Sequence, residues 1–361
     1  MISERVSVPF VDLGAQHTEL RDEIAAVIGQ AIDDSSFIGG PLLARFEQNF
    51  AAYTGADYAV GVSDGTHALL LALHAAGVRP GDLVLTVSHT FIATAEAVIQ
   101  CGAEPVFIDI DELTYTMSPG ALCAWLEQFS AVGSDGVCRE IKSGRRISAV
   151  LPVHLYGLPA DMEPILAAAK NYSLAVVEDA CQAHGAWYTF ADGTRRSAGA
   201  MGDAGCFSFY PGKNLGAMGE AGGVITSQAE IAAAVRMLRD HGQIEKYIHR
   251  TRYGINARLD AIQAGILDVK LARLDAWNAR RRELAAIYDA ELAAVPNLVT
   301  PYVPDYGHHV YHLYVILADN RDRLQQRLRE AGIGTGLHYP IPIHLQEAFA
   351  DQGYRPGSLP V

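Results

Sequence analysis

The sequence predicts an α/β protein: a large domain on a mostly parallel, seven-stranded sheet, followed by a smaller C-terminal α+β domain. Three observations carry this. Between residues 57 and 226 short apolar runs alternate with helix-length segments, the pattern of parallel strands covered on both faces by crossover helices. The chain has 361 residues, half of them hydrophobic and 19% charged, enough for two domains at roughly 150 residues each. Its 34 glycines fall singly or in pairs between apolar segments, where they mark tight turns and close backbone approaches to a ligand.

Taken in order, Leu20, Ile24, Val27, Ile28 and Ala31 recur at helical spacing and predict an opening helix over 16–33. Phe37-Ile-Gly-Gly-Pro41 interrupts it, and Leu43, Phe46, Phe50 and Tyr53 predict a second amphipathic helix. The seven apolar runs at 58–62, 83–87, 105–108, 149–153, 174–177, 205–209 and 223–226 predict the strands. Residues 130–147 are polar and glycine-containing and read as a surface insertion. Residues 189–199 read as an exposed hairpin turning at Asp192-Gly193. Leu259, Ile262, Ile266, Val269, Leu274 and Ile287 predict one long helix from about 259 to 292. It would join a large domain, 1–258, to a small one within 259–361, where 310–317 reads as a strand and 321–330 as a helix.

The formal net charge is −13 without basic runs, which leaves no electrostatic footprint for nucleic acid. No apolar run reaches the ~18 residues of a membrane span, and the N-terminus lacks the basic and apolar regions of a secretory signal. The five cysteines, Cys101, Cys123, Cys138, Cys181 and Cys206, form neither CxxC pairs nor a disulfide framework. They read as buried thiols in a cytoplasmic protein.

In an open parallel sheet, ligands bind beyond the carboxyl ends of the strands, and polar residues gather there four times. Ser63-Asp-Gly-Thr-His67 precedes a helical run and offers free N–H groups for a phosphate, or merely a helix cap. Glu178-Asp-Ala-Cys-Gln-Ala-His184 follows a buried strand, where a charged carboxylate needs a cationic or proton-bearing partner. A protonated heteroaromatic nitrogen is one such partner; capping the next helix is the plainer role. Of the five lysines, Lys142, Lys170, Lys246 and Lys270 sit in polar or helical segments, whereas Lys213 lies between a buried strand and a glycine-rich loop. The P-loop spacing is absent, so a Schiff-base lysine fits better. Phe91 in Ser88-His-Thr-Phe91 could stack on a planar ring, although a core role is commoner for one phenylalanine. A phosphate site, a stacking face, a carboxylate for a ring nitrogen and a lysine together meet the needs of pyridoxal 5'-phosphate.

At this point the sequence resembles the DegT/StrS-type sugar aminotransferases, a branch of the fold-type-I aspartate-aminotransferase superfamily. The resemblance runs from Val8-Pro-Phe-Val-Asp12 to Pro356. It rests on Ser63-Asp-Gly-Thr, Thr90-Phe-Ile-Ala-Thr94, His154-Leu-Tyr-Gly157, Glu178-Asp-Ala, Ser208-Phe-Tyr-Pro-Gly-Lys-Asn-Leu-Gly216, Tyr253-Gly-Ile-Asn-Ala-Arg-Leu-Asp260 and His338-Tyr-Pro. It implies that Lys213 carries the cofactor and later moves a proton, and that Asp179 pairs with the pyridine nitrogen. Phe91 and Gln182 would flank the ring; Gly65, Thr66 and Ser208 would hold the phosphate. Asn256 would reach the phosphate of a neighbouring subunit, making a homodimer with shared active sites. Arg258, His338, Tyr339 and His344 would face a nucleotide-sugar.

The implied reaction moves an amino group from an amino acid, generally L-glutamate, to a nucleotide-linked keto-sugar, with pyridoxamine phosphate between the two halves. Relatives that dehydrate carry His in place of the lysine. His338-Tyr-Pro-Ile-Pro-Ile-His344 resembles members acting at sugar C3 more than at C4; a C4 or cyclitol aminotransferase is the alternative. Relatives continue beyond Gly357-Ser-Leu-Pro-Val361, so the sequence is expected to be incomplete there, or else the small domain lacks its last helix. A metal centre at His308, His309 and His312 is disfavoured, because on a strand His308 and His312 would lie about 13 Å apart. Fold-type-I enzymes acting on amino acids lack the His-Tyr-Pro and Gly-x-Asn-x-Arg segments. A non-catalytic regulatory protein would be expected to have lost the lysine or gained a DNA-binding segment.

Overall fold

The computed structural model describes residues 7–361. Its centre is a seven-stranded sheet of β1 (Tyr58–Val62), β2 (Leu83–Val87), β3 (Glu104–Ile108), β4 (Ile147–Val150), β5 (Ala175–Asp179), β6 (Ala204–Ser208) and β7 (Gly222–Thr226). Their spatial order is β1-β7-β6-β5-β4-β2-β3. Only β7 runs against its neighbours, pairing antiparallel with both β1 and β6; the remaining pairings are parallel. Six strands therefore end at the same edge, and the β6–β7 connection turns back over it.

Alternation along the strands loads both faces. Val84 packs with Val60, Val62, Leu69 and Leu73 of helix α4 (Gly65–Ala75), whereas Leu83, Leu85 and Val87 join Leu122, Leu126 and Ile165 on the other side. A third cluster seats α3 (Gly40–Thr54) through Phe46 and Phe50 against Phe207 and Phe209. The edge-to-face contacts of Phe50 with both have centroids 5.1 and 5.2 Å apart. With the core this apolar, Cys101, Cys138 and Cys206 are buried and all five cysteines are unbonded. No described helix is long and apolar enough to cross a membrane.

Four expectations are corrected. The opening helix is two: α1 (Leu13–Glu19), capped by Asp12, and α2 (Arg21–Asp33). The chain bends at Leu20, which is buried beside Ile24 against Ile266, while α1 buries no residue and reaches over the carboxyl edge. The long helix is also two, α9 (Ala261–Leu271) and α10 (Leu274–Leu292), so that α9 packs on α2 and α3 while α10 diverges toward the later chain. Residues 310–317 are no strand. Val310 and Leu313 donate to the carbonyls of Gly157 and Tyr156, Tyr311 has φ 45°, and only Leu317–Ala318 pairs, with Leu298–Val299. Finally, the fourth strand starts at Ile147 and stops at Val150, before Pro152, which has no N–H for a ladder.

The 130–147 segment forms a hairpin of Ser130–Val132 with Cys138–Glu140 and is fastened to the body by Arg145, which pairs with Glu104 and donates to the Gly81 carbonyl at 2.8 Å. The 189–199 hairpin pairs Trp187–Thr189 with Arg195–Ser197, and Gly307–His308 adds a third strand. Further helices are α6 (Pro119–Phe129), α7 (Met162–Asn171), α8 (Ala229–Leu238) and α11 (Arg321–Glu330).

Candidate active site

The carboxyl edge opens into a cavity of about 980 Å³. At the end of β1, Asp64 caps α4 by accepting the His67 N–H at 2.8 Å, which leaves the N–H groups of Gly65 and Thr66 at the cavity wall without an acceptor among the described residues. Gly65 is required: a Cβ there would lie 2.7 Å from the Cβ of Ser208. Burial works against the Asp64 charge, but hydrogen bonds from His67 and Ser63 outweigh it and hold the carboxyl below its ordinary range. The same contact raises His67.

Asp179 ends β5 and is nearly buried. Thr94, from helix α5 (Ala93–Gln100), donates its hydroxyl to Asp179 Oδ2 at 2.8 Å, and the Cys181 N–H reaches Oδ1 at 3.2 Å. These two donors aim the carboxylate while leaving lone pairs for another. Beneath it, Glu178 is wholly buried and accepts the N–H groups of Gly199, Met201 and Gly202 at 2.8, 2.7 and 2.6 Å. His154 Nδ1 accepts from the Ala160 N–H, so Nε2 carries the proton donated to Glu178 at 2.7 Å. The residue pair Glu178-Asp179 thus splits its work: one locks the strand end, the other faces the cavity.

Lys213 stands in the β6–β7 connection. Burial pulls its pKa down, opposed by the nearby Asp179 carboxylate, so its amine is more readily neutral than a surface lysine's. The loop is fixed by Asn214, which donates to Asn278 Oδ1 at 2.9 Å and to the Val310 carbonyl at 3.1 Å. In the same cavity Phe91 is 56% exposed, an aromatic face offered to a ligand. Gln182 accepts the Tyr156 N–H at 2.7 Å and donates to the Tyr339 hydroxyl at 3.0 Å. Cys181 beside Asp179 is pushed well above its ordinary pKa by burial, which keeps it an inert thiol.

Nine predicted residues therefore meet in one cavity: Gly65, Thr66, Phe91, Asp179, Gln182, Ser208, Lys213, His338 and Tyr339. Three do not. Asn256 is exposed and bridges Asp240 through its backbone. Arg258 pairs with the Asp240 carboxylate. His344 is buried, its Nδ1 2.8 Å from Ser88 Oγ, because Ile343 beside it anchors the turn in a cluster with Ala95, Phe107 and Phe349. The three histidines weighed as a metal centre diverge: His308 stacks on Trp187, His309 on Tyr311, and His312 contacts Asn214.

Sequence reasoning missed Thr94, Arg281, His312 and Lys270. Lys270 is only 1% exposed and donates to the carbonyl of Gly216, at the end of the Lys213 loop, at 2.7 Å. A signal existed: Lys270 lies four residues from Ile266 and three from Leu267, on the buried stripe of α9.

Residues 18–361 match the DegT/DnrJ/EryC1/StrS aminotransferase family. The chain is 44% identical over 356 residues to the erythromycin biosynthesis sensory transduction protein EryC1 of Saccharopolyspora erythraea, spanning 99% of this chain and 91% of that protein. It is 43% identical over 358 residues to the dTDP-3-amino-3,4,6-trideoxy-alpha-D-glucose transaminase of Streptomyces venezuelae, spanning 99% and 88%. Its fold matches the crystal structure of S. venezuelae DesV in complex with a ketimine intermediate, with a TM-score of 0.89 at 43% identity, over 98% of this chain and 89% of that one.

Proposed function

The chain belongs to the DegT/DnrJ/EryC1/StrS aminotransferase family, and from that premise we propose that it moves an amino group from an α-amino acid, such as L-glutamate, to C3 of a keto-sugar carried on a nucleoside diphosphate, with pyridoxal 5'-phosphate as cofactor. One observation carries this reading: Lys213 and Asp179 open into a single cavity with a free helix N-terminus. C3 is favoured by the kinship to a transaminase named for a 3-amino sugar.

The residues fit the cofactor. Gly65 and Thr66 would supply N–H donors and Ser208 a hydroxyl for its phosphate; Asp179 would accept from a protonated ring nitrogen; Phe91 and Gln182, which line the same cavity, would flank the ring. Pyridoxal 5'-phosphate, when bound, supplies the electron sink for breaking a bond at the amine-bearing carbon. Asp179, aimed by Thr94, would keep the ring nitrogen protonated. Lys213 Nζ would take the proton from the donor's amine-bearing carbon and pass it to the cofactor's aldehyde-derived carbon, with the reverse transfer in the acceptor half; a lowered pKa favours the neutral amine that accepts it. His338 and Tyr339 close the sugar side.

Asn256 and Arg258, which do not line the chain's own cavity, would serve the site of a second copy in a homodimer. The large part, 1–258, would hold the cofactor, and the linking helices and small part, 259–361, would cover it.

The test is spectroscopic and chemical. Purified protein with the cofactor absorbs visible light, and Lys213→Ala loses that band; an unchanged spectrum in the variant would sink the proposal. The aminated form of the protein, mixed with nucleotide-linked 3-keto and 4-keto sugars, recovers the band with the 3-keto sugar. Recovery with only the 4-keto sugar or an inosose would favour the other regiochemistries. EryC1's name describes sensory transduction, and a regulatory protein would bind ligand without consuming L-glutamate; the retained, pKa-lowered lysine favours turnover.

A further inference from the structure

Arg281, two turns into α10, lines the same cavity as Lys213. Its Nη1 donates to the carbonyls of Tyr311 and His312 at 3.1 and 3.4 Å, which fixes one edge of the guanidinium. Among the described residues its hydrogen bonds run through Nη1 alone, leaving Nε and Nη2 without a protein acceptor, and no carboxylate pairs with it. The acidic groups of the cavity are engaged elsewhere or sit at its rim. Asp64 is taken by His67 and Ser63, Asp179 by Thr94 and the Cys181 N–H, Asp12 caps α1, and Glu220 is exposed. A half-buried guanidinium with a pinned edge and an open one is a fork for a carboxylate that the protein itself does not supply.

Its location says which carboxylate. His312, whose carbonyl takes Arg281, contacts the Asn214 side chain at 3.2 Å, and Asn214 adjoins Lys213. The site thus lies at the reacting end of the cavity. We propose that Arg281 binds the α-carboxylate of the amino donor. In an α-amino acid that group is attached to the carbon bearing the reacting amine. The diphosphate of a 3-keto nucleotide-sugar begins on the far side of C1, away from the reacting carbon. The guanidinium therefore serves the donor half of the reaction and leaves the acceptor half nearly untouched. This inference rests on the transaminase reading.

Because donor and acceptor react in separate half-reactions, the effect can be assigned. Arg281→Gln raises the KM for L-glutamate about 10- to 100-fold, the loss of a charged hydrogen-bonded contact, with the KM for the keto-sugar within about threefold. Arg281→Lys, which keeps the charge without the fork, falls between. Glutarate, a dicarboxylate without an amine, binds the cofactor-free protein by calorimetry and loses at least about tenfold in affinity in Arg281→Gln. A rise in both KM values together, the mark of a loosened fold or of a role outside donor binding, counts against the proposal. Unchanged L-glutamate and glutarate binding, or a rise confined to the keto-sugar, overturns the proposal. Failure of the wild-type protein to exchange any amine would refute the transaminase reading itself, a different result from a wild-type half-reaction that Arg281→Gln leaves alone.

Discussion

Lys270→Met tests how the Lys213 loop is supported. The ammonium of Lys270 is buried between α9, the Gly216 carbonyl at 2.7 Å and His17 Nε2 at 3.0 Å. Burial pushes its pKa from 10.5 down to about 8, and burial plus the Lys270 charge lower His17, so His17 is neutral and can accept. In the unfolded chain Lys270 keeps its proton to about 10.5, and in the folded chain it releases it near 8. Below pH 8 both states bind the proton and the burial penalty is fully present. Between the two values the unfolded state binds more, so stability rises with pH, by about 3 kcal/mol over the whole window. Methionine removes that penalty but leaves the Gly216 carbonyl without its donor, a cost of about 1–3 kcal/mol.

The variant should therefore match or exceed the wild type at pH 7.5 and fall below it at pH 10. The pH-dependent difference between the two proteins should be about 2–3 kcal/mol. Urea unfolding followed by circular dichroism at both pH values measures this. His17 titrates below the window and does not confuse it. Parallel pH profiles for the two proteins would refute the reasoning.

Three further outcomes are expected. Asp179→Asn lowers the amino-transfer rate about 10²- to 10³-fold, and Thr94→Val, which removes only the aiming hydroxyl, lowers it far less; single-turnover rates compare them, and equal losses would show that aiming is the whole effect. Glu178→Ala strips the acceptor from three backbone N–H groups and His154, and should cost about 3–5 kcal/mol in denaturant unfolding; a loss under about 1 kcal/mol would contradict the buried clamp. Gly65→Ala forces a methyl group against Ser208 and should weaken cofactor affinity at least about tenfold while leaving the Lys270-dependent pH profile unchanged, as equilibrium dialysis and unfolding together would report.

Much of this was legible because its signals are local. Each of the seven apolar runs became a strand of the central sheet, and the residues just after β1, β5 and β6 lie at the cavity because strand direction alone puts them there. The helix breaks at Leu20 and Ala272-Arg273 were not legible: the apolar period continues through both, and the chain bends only because its two halves pack on different partners. Residues 310–317 have a strand's composition, but the N–H groups of Val310 and Leu313 are taken by the carbonyls of Gly157 and Tyr156, far away in sequence. His344 looked like a site residue beside His338, yet Ile343 draws it into a small apolar cluster. Lys270 looked like an ordinary helix lysine until its stripe was buried.

What the sequence determined by itself is the chemistry available and its rough position: a lysine after one buried strand, a carboxylate after another, a glycine-threonine helix start after a third. These follow from spacing and side-chain type, which act within a few residues. Only the tertiary structure decided which groups meet. Thr94 on Asp179, Asn214 on Asn278 and Val310, and Arg281 with an open edge beside the Lys213 loop are contacts between segments far apart in the chain. They arise where strand order and helix crossings bring the ends of the sheet together, and local periodicity carries no information about that order.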